Sequence, residues 1–470
     1  MADDTLCWIP AADLAAAIAR RKISPLEVVD AVLDRIGRLK DLNAYCLVDA
    51  DGARRAARAA ERAVMQRSAK LGPLHGVPFS VKDLVNTRGV RTTFGTPLYR
   101  DNVPAEDAPA VARLRAAGAV MLGKTNTPTF GWVGVTDNLL FGPTRNPWSR
   151  DHTPGGSSGG AGAAVAAGLG PLALGTDGGG SIRKPAAWCG IFGLKASYGR
   201  VPLHPHGAAW SLSHAGPMTR TVKDAALMLN VMAGPDERDQ YSLPADGVDY
   251  VKALGGRLQG LRVACSATLG GIATAVDPEI AAATAKAARA LRAFGCRVET
   301  VEPRWPSPYD CWRATFYGGI ATRLAPYLDR AAEIDPGLLP IVDEVQGWPP
   351  TRYVQAWFDR LAWWQHPRAF FEKYDLLLSP AVACAPLRLG EYFATEIAGV
   401  KVGRDAGSAF TFPFNLTGQP AASVPCGFTR AGLPIGLQIV GRRFADVTVL
   451  RASAALERAL PWAARRPPEA

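Results

Sequence analysis

The stretch SPLEVVDAVLDRIGRL, residues 24–39, places Val29, Val32, Leu33 and Ile36 at helical spacing. Ahead of them stand Ser24, a proline at the first helical position and Glu27, the pattern of a capping box. A second helix is expected over 52–68. Short apolar runs then alternate with helical patterns. Runs at 77–85, 119–125, 170–176, 261–265, 296–301, 375–382, 422–428 and 436–441 read as strands. Residues 106–117, 221–233 and 277–294 read as helices, the last opening on Asp277-Pro278-Glu279 and closing at Gly295. Strands alternating with helices imply an α/β layered fold around a largely buried sheet. No repeat, low-complexity linker or break in composition interrupts the pattern, so residues 1–470 read as one domain.

Composition changes this picture in one region. Of twelve tryptophans, six fall at 305, 312, 348, 357, 363 and 364, accompanied by Tyr317, Phe358, Phe370 and Phe371. Helical packing accounts for most of them, and an apolar substrate wall is expected for a minority. The net charge is +11, but it is spread along the chain. Its densest patch, with Arg54, Arg58 and Arg62 at helical spacing among alanines, reads as a solvated helix face rather than a nucleic-acid site. Eight scattered cysteines without a Cys-x-x-Cys pair read as reduced thiols, not a disulfide frame or zinc site. The acidic start MADDTLCWIPAADL lacks the pattern of a signal peptide, and the longest charge-free stretch, 152–176, is too weakly apolar for a membrane span. A cytoplasmic protein is expected, monomeric or homodimeric, without nucleic-acid or membrane partners.

Three stretches carry candidate chemistry. In GVPFSVKDL (76–84), Lys82 lies in an apolar strand pattern, in a chain with twelve lysines against forty-one arginines. Burial lowers a lysine's pKa and can make it a base near neutrality, which arginine cannot become; a surface pair with Asp83 is the alternative. In TPGGSSGGAGAAVAAG (153–168), glycines flank Ser157 and Ser158 ahead of an alanine-rich helix. A serine N-cap explains this locally. A nucleophile elbow would need a preceding strand and a late histidine, and only His366 lies late enough. In TDGGGSIRKP (176–185), a strand runs into Asp177, three glycines and Ser181. Phosphate binding fits poorly, because no Walker Gly-Lys-Ser/Thr is present and Asp177 would repel an anion. Consecutive unobstructed N–H groups beside a serine suit an oxyanion hole.

Together with GKTNTPTFG (123–131), TRNPW (144–148) and the tail at 410–444, these stretches resemble the amidase signature family. The resemblance spans nearly the whole chain and is strongest over 72–202 and 410–444. It implies a single α/β/α domain around a large mixed twisted sheet, and a Ser–Ser–Lys triad falling on Lys82, Ser157 and Ser181. The bridging serine of that family follows a cis peptide bond, and its spacing to the nucleophile is kept here. The N–H groups of Gly178, Gly179, Gly180 and Ser181 are the expected oxyanion donors, and Asp177 and Arg183 are expected to brace the loop by pairing rather than to act on substrate. The resemblance implies no metal and no organic cofactor. Ala161, Thr129 and the sequence LKAS (194–197) depart from the family pattern without touching the triad. Residues 303–400 carry no family signature, so the substrate pocket is expected to vary there.

Gly131, Trp132 and Ser158 are the expected substrate contacts, with Gly131 leaving room and Trp132 supplying a flat wall near the triad. Bulky aryl or long-acyl amides and anilides are the expected substrates, with carbamates and esters also admitted by the triad. The alternatives are the glutamine-hydrolysing amidase subunit of a tRNA-dependent amidotransferase, and a non-catalytic binding module.

Overall fold

The computed structural model describes residues 4–66, 70–404 and 406–468. Eleven strands form one mixed sheet: β1 (Tyr45–Val48), β2 (Pro78–Lys82), β3 (Val120–Thr125), β4 (Leu172–Asp177), β5 (Phe192–Lys195), β6 (His214–Thr219), β7 (Arg262–Cys265), β8 (Arg297–Thr300), β9 (Leu376–Pro380), β10 (Ala421–Phe428) and β11 (Pro434–Gly441). Their order is β1-β3-β2-β4-β6-β5-β10-β11-β9-β7-β8. β2 runs parallel to β3 and β4, and β7 parallel to β8 and β9, while the central pairings from β4 through β6, β5, β10 and β11 to β9 are antiparallel. Strands from both ends of the chain therefore share one sheet.

Side chains alternate across a strand, and here the alternation separates two cores. Leu437 and Ile439 of β11, with Leu376 and Leu378 of β9, pack with helices Val222–Met232 and Asp446–Ala459. The intervening Val440 and Leu377 pack on the other face with Trp312 and Ile320 of helix Tyr309–Leu324. Both faces are covered, so the central strands read as nearly continuous apolar runs.

Most expected elements are present within a residue or three of their boundaries. The first helix spans Pro25–Arg38 with a complete capping box: Ser24 Oγ accepts from the N–H groups of Leu26 and Glu27, and Glu27 accepts from Ser24 N. Helix Ala50–Met65 buries Ala53, Ala57, Ala60 and Val64 and turns Arg54 outward to Asp30; the expected extension to 67–68 lies outside the described residues. Helix Pro278–Ala290 continues as a 3₁₀ turn to Phe294 and ends at Gly295 in the left-handed region.

Three strands had no signal in the sequence pattern. β1 is a short, half-buried edge strand. β5 (FGLK) and β6 (HAGPMT) contain glycine and proline, which disfavour strand in isolation. Their small residues serve packing. A Cβ on Gly193 would meet Ala186 Cβ at 2.8 Å, and one on Gly436 of β11 would meet Ala187 Cβ at 2.4 Å. Glycine at these positions lets helix Arg183–Cys189 lie directly on the sheet, and that helix follows Ser181. Among the described residues, no helix is long and apolar enough to cross a membrane.

Candidate active site

β2 and β4 are parallel neighbours, so Lys82, Thr176 and Asp177 come together at their carboxyl ends, where open α/β sheets form clefts. Ser157 enters from the loop before helix Gly159–Ala166, after a cis Gly156–Ser157 peptide bond. Ser181 stands between β4 and helix Arg183–Cys189. Lys82 is fully buried, its Nζ 2.7 Å from Ser157 Oγ and 3.0 Å from Thr176 Oγ1. Ser157, Thr176 and Ser181 line one cavity. Burial pushes the Lys82 ammonium well below the ordinary lysine pKa, with Asp177 pulling in the opposite direction.

That opposing pull is weakened because Asp177 already has a cation. Its carboxylate receives Arg183 Nε (3.0 Å) and Nη2 (2.9 Å), and both side chains are inaccessible to solvent. Burial alone would raise the Asp177 pKa, but Arg183, then Lys195 and Asn415, hold it well below the usual carboxylate range. Arg183 also donates to Thr411 O (3.0 Å), Gln438 Oε1 (2.7 Å) and Asn415 Oδ1 (2.6 Å). Asn415 Nδ2 donates back to Asp177 O and Oδ1, both at 2.9 Å. This network joins the Ser181 loop to the 410–444 tail. Beside it, buried Lys195 lies 3.3 Å from His214 Nε2, and burial disfavours the charged form of both.

The three glycines are each in contact with something different. Gly178 faces the cavity. A Cβ on Gly179 would meet Trp312 Cζ2 at 2.7 Å. Gly180 has φ +121°, and a Cβ there would meet Thr411 Oγ1 at 2.3 Å, so both conformation and space demand glycine. Trp312 Nε1 donates to Gly178 O (2.9 Å), and Thr411 Oγ1 donates to Gly179 O (2.7 Å). An N–H points opposite to the C=O of its own trans peptide, so the bond to Gly178 O turns the Gly179 N–H away from Trp312. Among the described residues, the N–H groups of Gly178, Gly179 and Ser181 donate to no protein acceptor.

Three expected contacts are corrected by this geometry. Gly180 N donates to Asp177 Oδ1 at 2.7 Å, so its N–H is already engaged and unavailable as an oxyanion donor. Ser158 does not reach the cavity: its N–H donates to Ser181 O, and its hydroxyl to Thr176 O at 3.1 Å. Trp132 turns away from Ser181. Its Nε1 donates to Asp335 Oδ2 (3.2 Å), since a buried indole N–H requires an acceptor, and its ring stacks on Tyr392 in a separate cavity. Gly131, at φ +73°, makes that turn and does line the Ser181 cavity. Rings of Phe94, Phe130 and Phe316 take the place expected for Trp132. Of the tryptophan-rich segment, Trp305 and Trp363 pack against each other in the core, and Phe316 reaches the cavity.

Sequence reasoning passed over Thr176, Thr411, Asn415 and Gln438. The last three lie in the tail motif at 410–444, which the resemblance had marked without singling out residues.

A fold of this kind, with a buried lysine, two serines and a glycine loop at one cleft, defines an amide-hydrolysing enzyme class, and similarity to known proteins identifies it. The amidase family model matches residues 27–450. An acylamidase of Rhodococcus erythropolis is 40% identical over 473 residues, covering 99% of this chain and 98% of that protein. The glutamyl-tRNA(Gln) amidotransferase of Roseiflexus castenholzii has a subunit 38% identical over 477 residues, covering 96% of this chain and 95% of that one. The crystal structure of a bacterial aryl acylamidase, an amidase signature enzyme, superposes with a TM-score of 0.90 at 35% identity over 97% of each chain. The chain belongs to the amidase signature family and is an amide-hydrolysing enzyme.

The network makes one stability prediction. Arg183→Met strands the Asp177 carboxylate in the interior and should cost about 3–5 kcal/mol. Adding Asp177→Asn should recover part of that loss. Urea unfolding of the single and double variants checks both, and an Arg183→Met protein as stable as the parent would refute the role of the pair.

Proposed function

We propose that Ser181 is the acyl-transfer nucleophile, Ser157 the proton bridge and Lys82 the base. The observation that carries this reading is Lys82: a fully buried amine 2.7 Å from Ser157 Oγ, whose nearest carboxylate already belongs to Arg183. The neutral amine has a lone pair for the Ser157 proton and an N–H for Thr176. As Ser157 gives up its proton, it takes the proton of Ser181, and Ser181 Oγ bonds to the substrate carbonyl carbon. The resulting oxyanion is received by the N–H groups of Gly178, Gly179 and Ser181, each worth about 3–4 kcal/mol in such sites. The relay then returns the proton to the leaving nitrogen, the C–N bond breaks, and water releases the acyl group by the same route.

Phe94, Phe130 and Phe316 give the cavity a predominantly apolar, aromatic wall. The substrates we assign are therefore aryl and long-acyl amides and anilides, in keeping with the acylamidase relatives. Aryl carbamates offer the same carbonyl to Ser181 and belong to the set. The amidotransferase reading, favoured by the similarity to the Roseiflexus protein, makes glutamine the substrate instead.

Ser181→Ala should lower kcat/KM by about 10⁴-fold or more while leaving the folded protein intact. A fluorophosphonate should label Ser181 of the parent, as read by peptide mass spectrometry; labelling at Ser158 would move the nucleophile there.

Lys82 acts only when neutral, so kcat/KM should fall as pH drops through its depressed pKa and level off above it. The midpoint should lie well below the unperturbed value of about 10.4. Lys82→Arg keeps the charge but cannot accept the proton, and should lose about 10²–10⁴-fold. Near-parental turnover by this variant would reduce Lys82 to a structural cation.

The purified chain alone should hydrolyse an acyl nitroanilide at least about tenfold better than glutamine in kcat/KM, because the rings of Phe94, Phe130 and Phe316 reward an apolar acyl group. Preference for glutamine would favour the amidotransferase reading.

A further inference from the structure

Arg323 lies on helix Tyr309–Leu324, in the segment without a family signature. It lines the Ser181 cavity and also an outer, more open cavity, at the strip His206–Ala208 common to both. Its guanidinium stands over a platform of three rings, 4.9 Å from the centroids of Phe94 and Phe130 and 5.7 Å from that of Tyr99. The rings pack edge-on or tilted against one another, so the platform is braced.

The charge balance of this place is uneven. Among the described residues, no aspartate or glutamate lines the Ser181 cavity. His204 and His206 line it too, but each faces a carboxylate, Glu106 at 3.0 Å and Asp239 at 3.3 Å. Arg323 has no such counterpart among the described residues, and its buried Nε has no hydrogen-bond partner there. Arginine stays charged throughout the working pH range, and its planar fork matches a carboxylate. Aromatic faces stabilise the cation, but they leave its buried Nε–H without an acceptor, which is costly.

We propose that Arg323 is a specificity-determining residue that receives a carboxylate carried by the substrate, at the throat where the two cavities meet. The assignment rests on the reading of Ser181 as nucleophile and narrows its substrates to amides bearing a remote anionic group. The outer cavity, walled by Trp210, Trp348 and Tyr353, gives the rest of such a molecule space beyond the throat.

Two substrate series test this on the full-length enzyme. Nitroanilides of dicarboxylic acids put the carboxylate on the acyl side, and benzoyl derivatives of ω-amino acids put it on the amine side. Each series increases in chain length, and each acid is paired with the ω-hydroxy compound of equal length. At one length in one series, the acid should exceed its alcohol by about tenfold in kcat/KM, the scale of one charge-assisted hydrogen bond. The difference should sit mainly in KM and shrink as salt is added. Arg323→Gln and Arg323→Met should bring the acid-to-alcohol ratio near one, and Arg323→Lys should retain part of it. The parent enzyme decides even if a variant misfolds: no acid preference at any length in either series overturns the proposal. A preference that survives Arg323→Met does the same. Failure of the parent to turn over either member of any pair, with no fluorophosphonate label on Ser181, would instead overturn the nucleophile reading, and this assignment with it.

Discussion

The Asp177 carboxylate is the point on which the rest of the site depends. It receives the N–H groups of Gly180, Ile182 and Arg183, the Nε and Nη2 of Arg183, and the side-chain amide of Asn415. A buried charge is tolerable only when its lone pairs are met by donors and its charge by a counterion. Here both demands are satisfied by groups that also set the path of the chain from β4 through the glycines into helix Arg183–Cys189. The position of Ser181 thus follows from the needs of a carboxylate that never touches the cavity.

The same pairing governs Lys82. A lysine in a low-dielectric interior keeps its proton when an unpaired carboxylate is near and loses it otherwise. Arg183 takes the charge of Asp177, so desolvation prevails at Lys82 and its ammonium is disfavoured. One arginine therefore braces the loop and leaves a neighbouring amine without a free counter-charge. The Thr411 and Trp312 hydrogen bonds complete the arrangement by holding back the Gly179 and Gly178 carbonyls. Trp312 comes from helix Tyr309–Leu324, so an element far along the chain supports the loop carrying Ser181.

That helix also borders the cavity. Helix Tyr309–Leu324 presents Trp312 under the glycine loop and Phe316 and Arg323 to the cavity. The sheet reproduces the architecture of the amidase signature enzymes, while one helix supplies both an aromatic wall residue and a positive charge at the cavity. An acylamidase and an amidotransferase component share about the same similarity to this chain, at 40% and 38% identity.

Periodicity alone made the alternating elements legible, and the capping box at Ser24 placed a helix start to the residue. The spacing of Lys82, Ser157 and Ser181 was legible through motifs, since each lies in a short run whose neighbours mark it. β5 and β6 were not, because their glycines and proline weaken strand propensity and are there to admit a helix at close range. Which way Trp132 turns, whether Ser158 faces substrate, and which glycine N–H is free were equally illegible. Each depends on an acceptor far along the chain or around a turn: Asp335 for Trp132, the Thr176 carbonyl for Ser158, the Asp177 carboxylate for Gly180. The sequence by itself determined the alternating elements and the motifs that carry the lysine and serines, because those signals lie within a few residues of one another. Only the tertiary structure decided which polar groups are satisfied and which are left to meet a substrate, because hydrogen-bond partners such as Asp177–Asn415 and Arg183–Gln438 are more than two hundred residues apart until the chain folds.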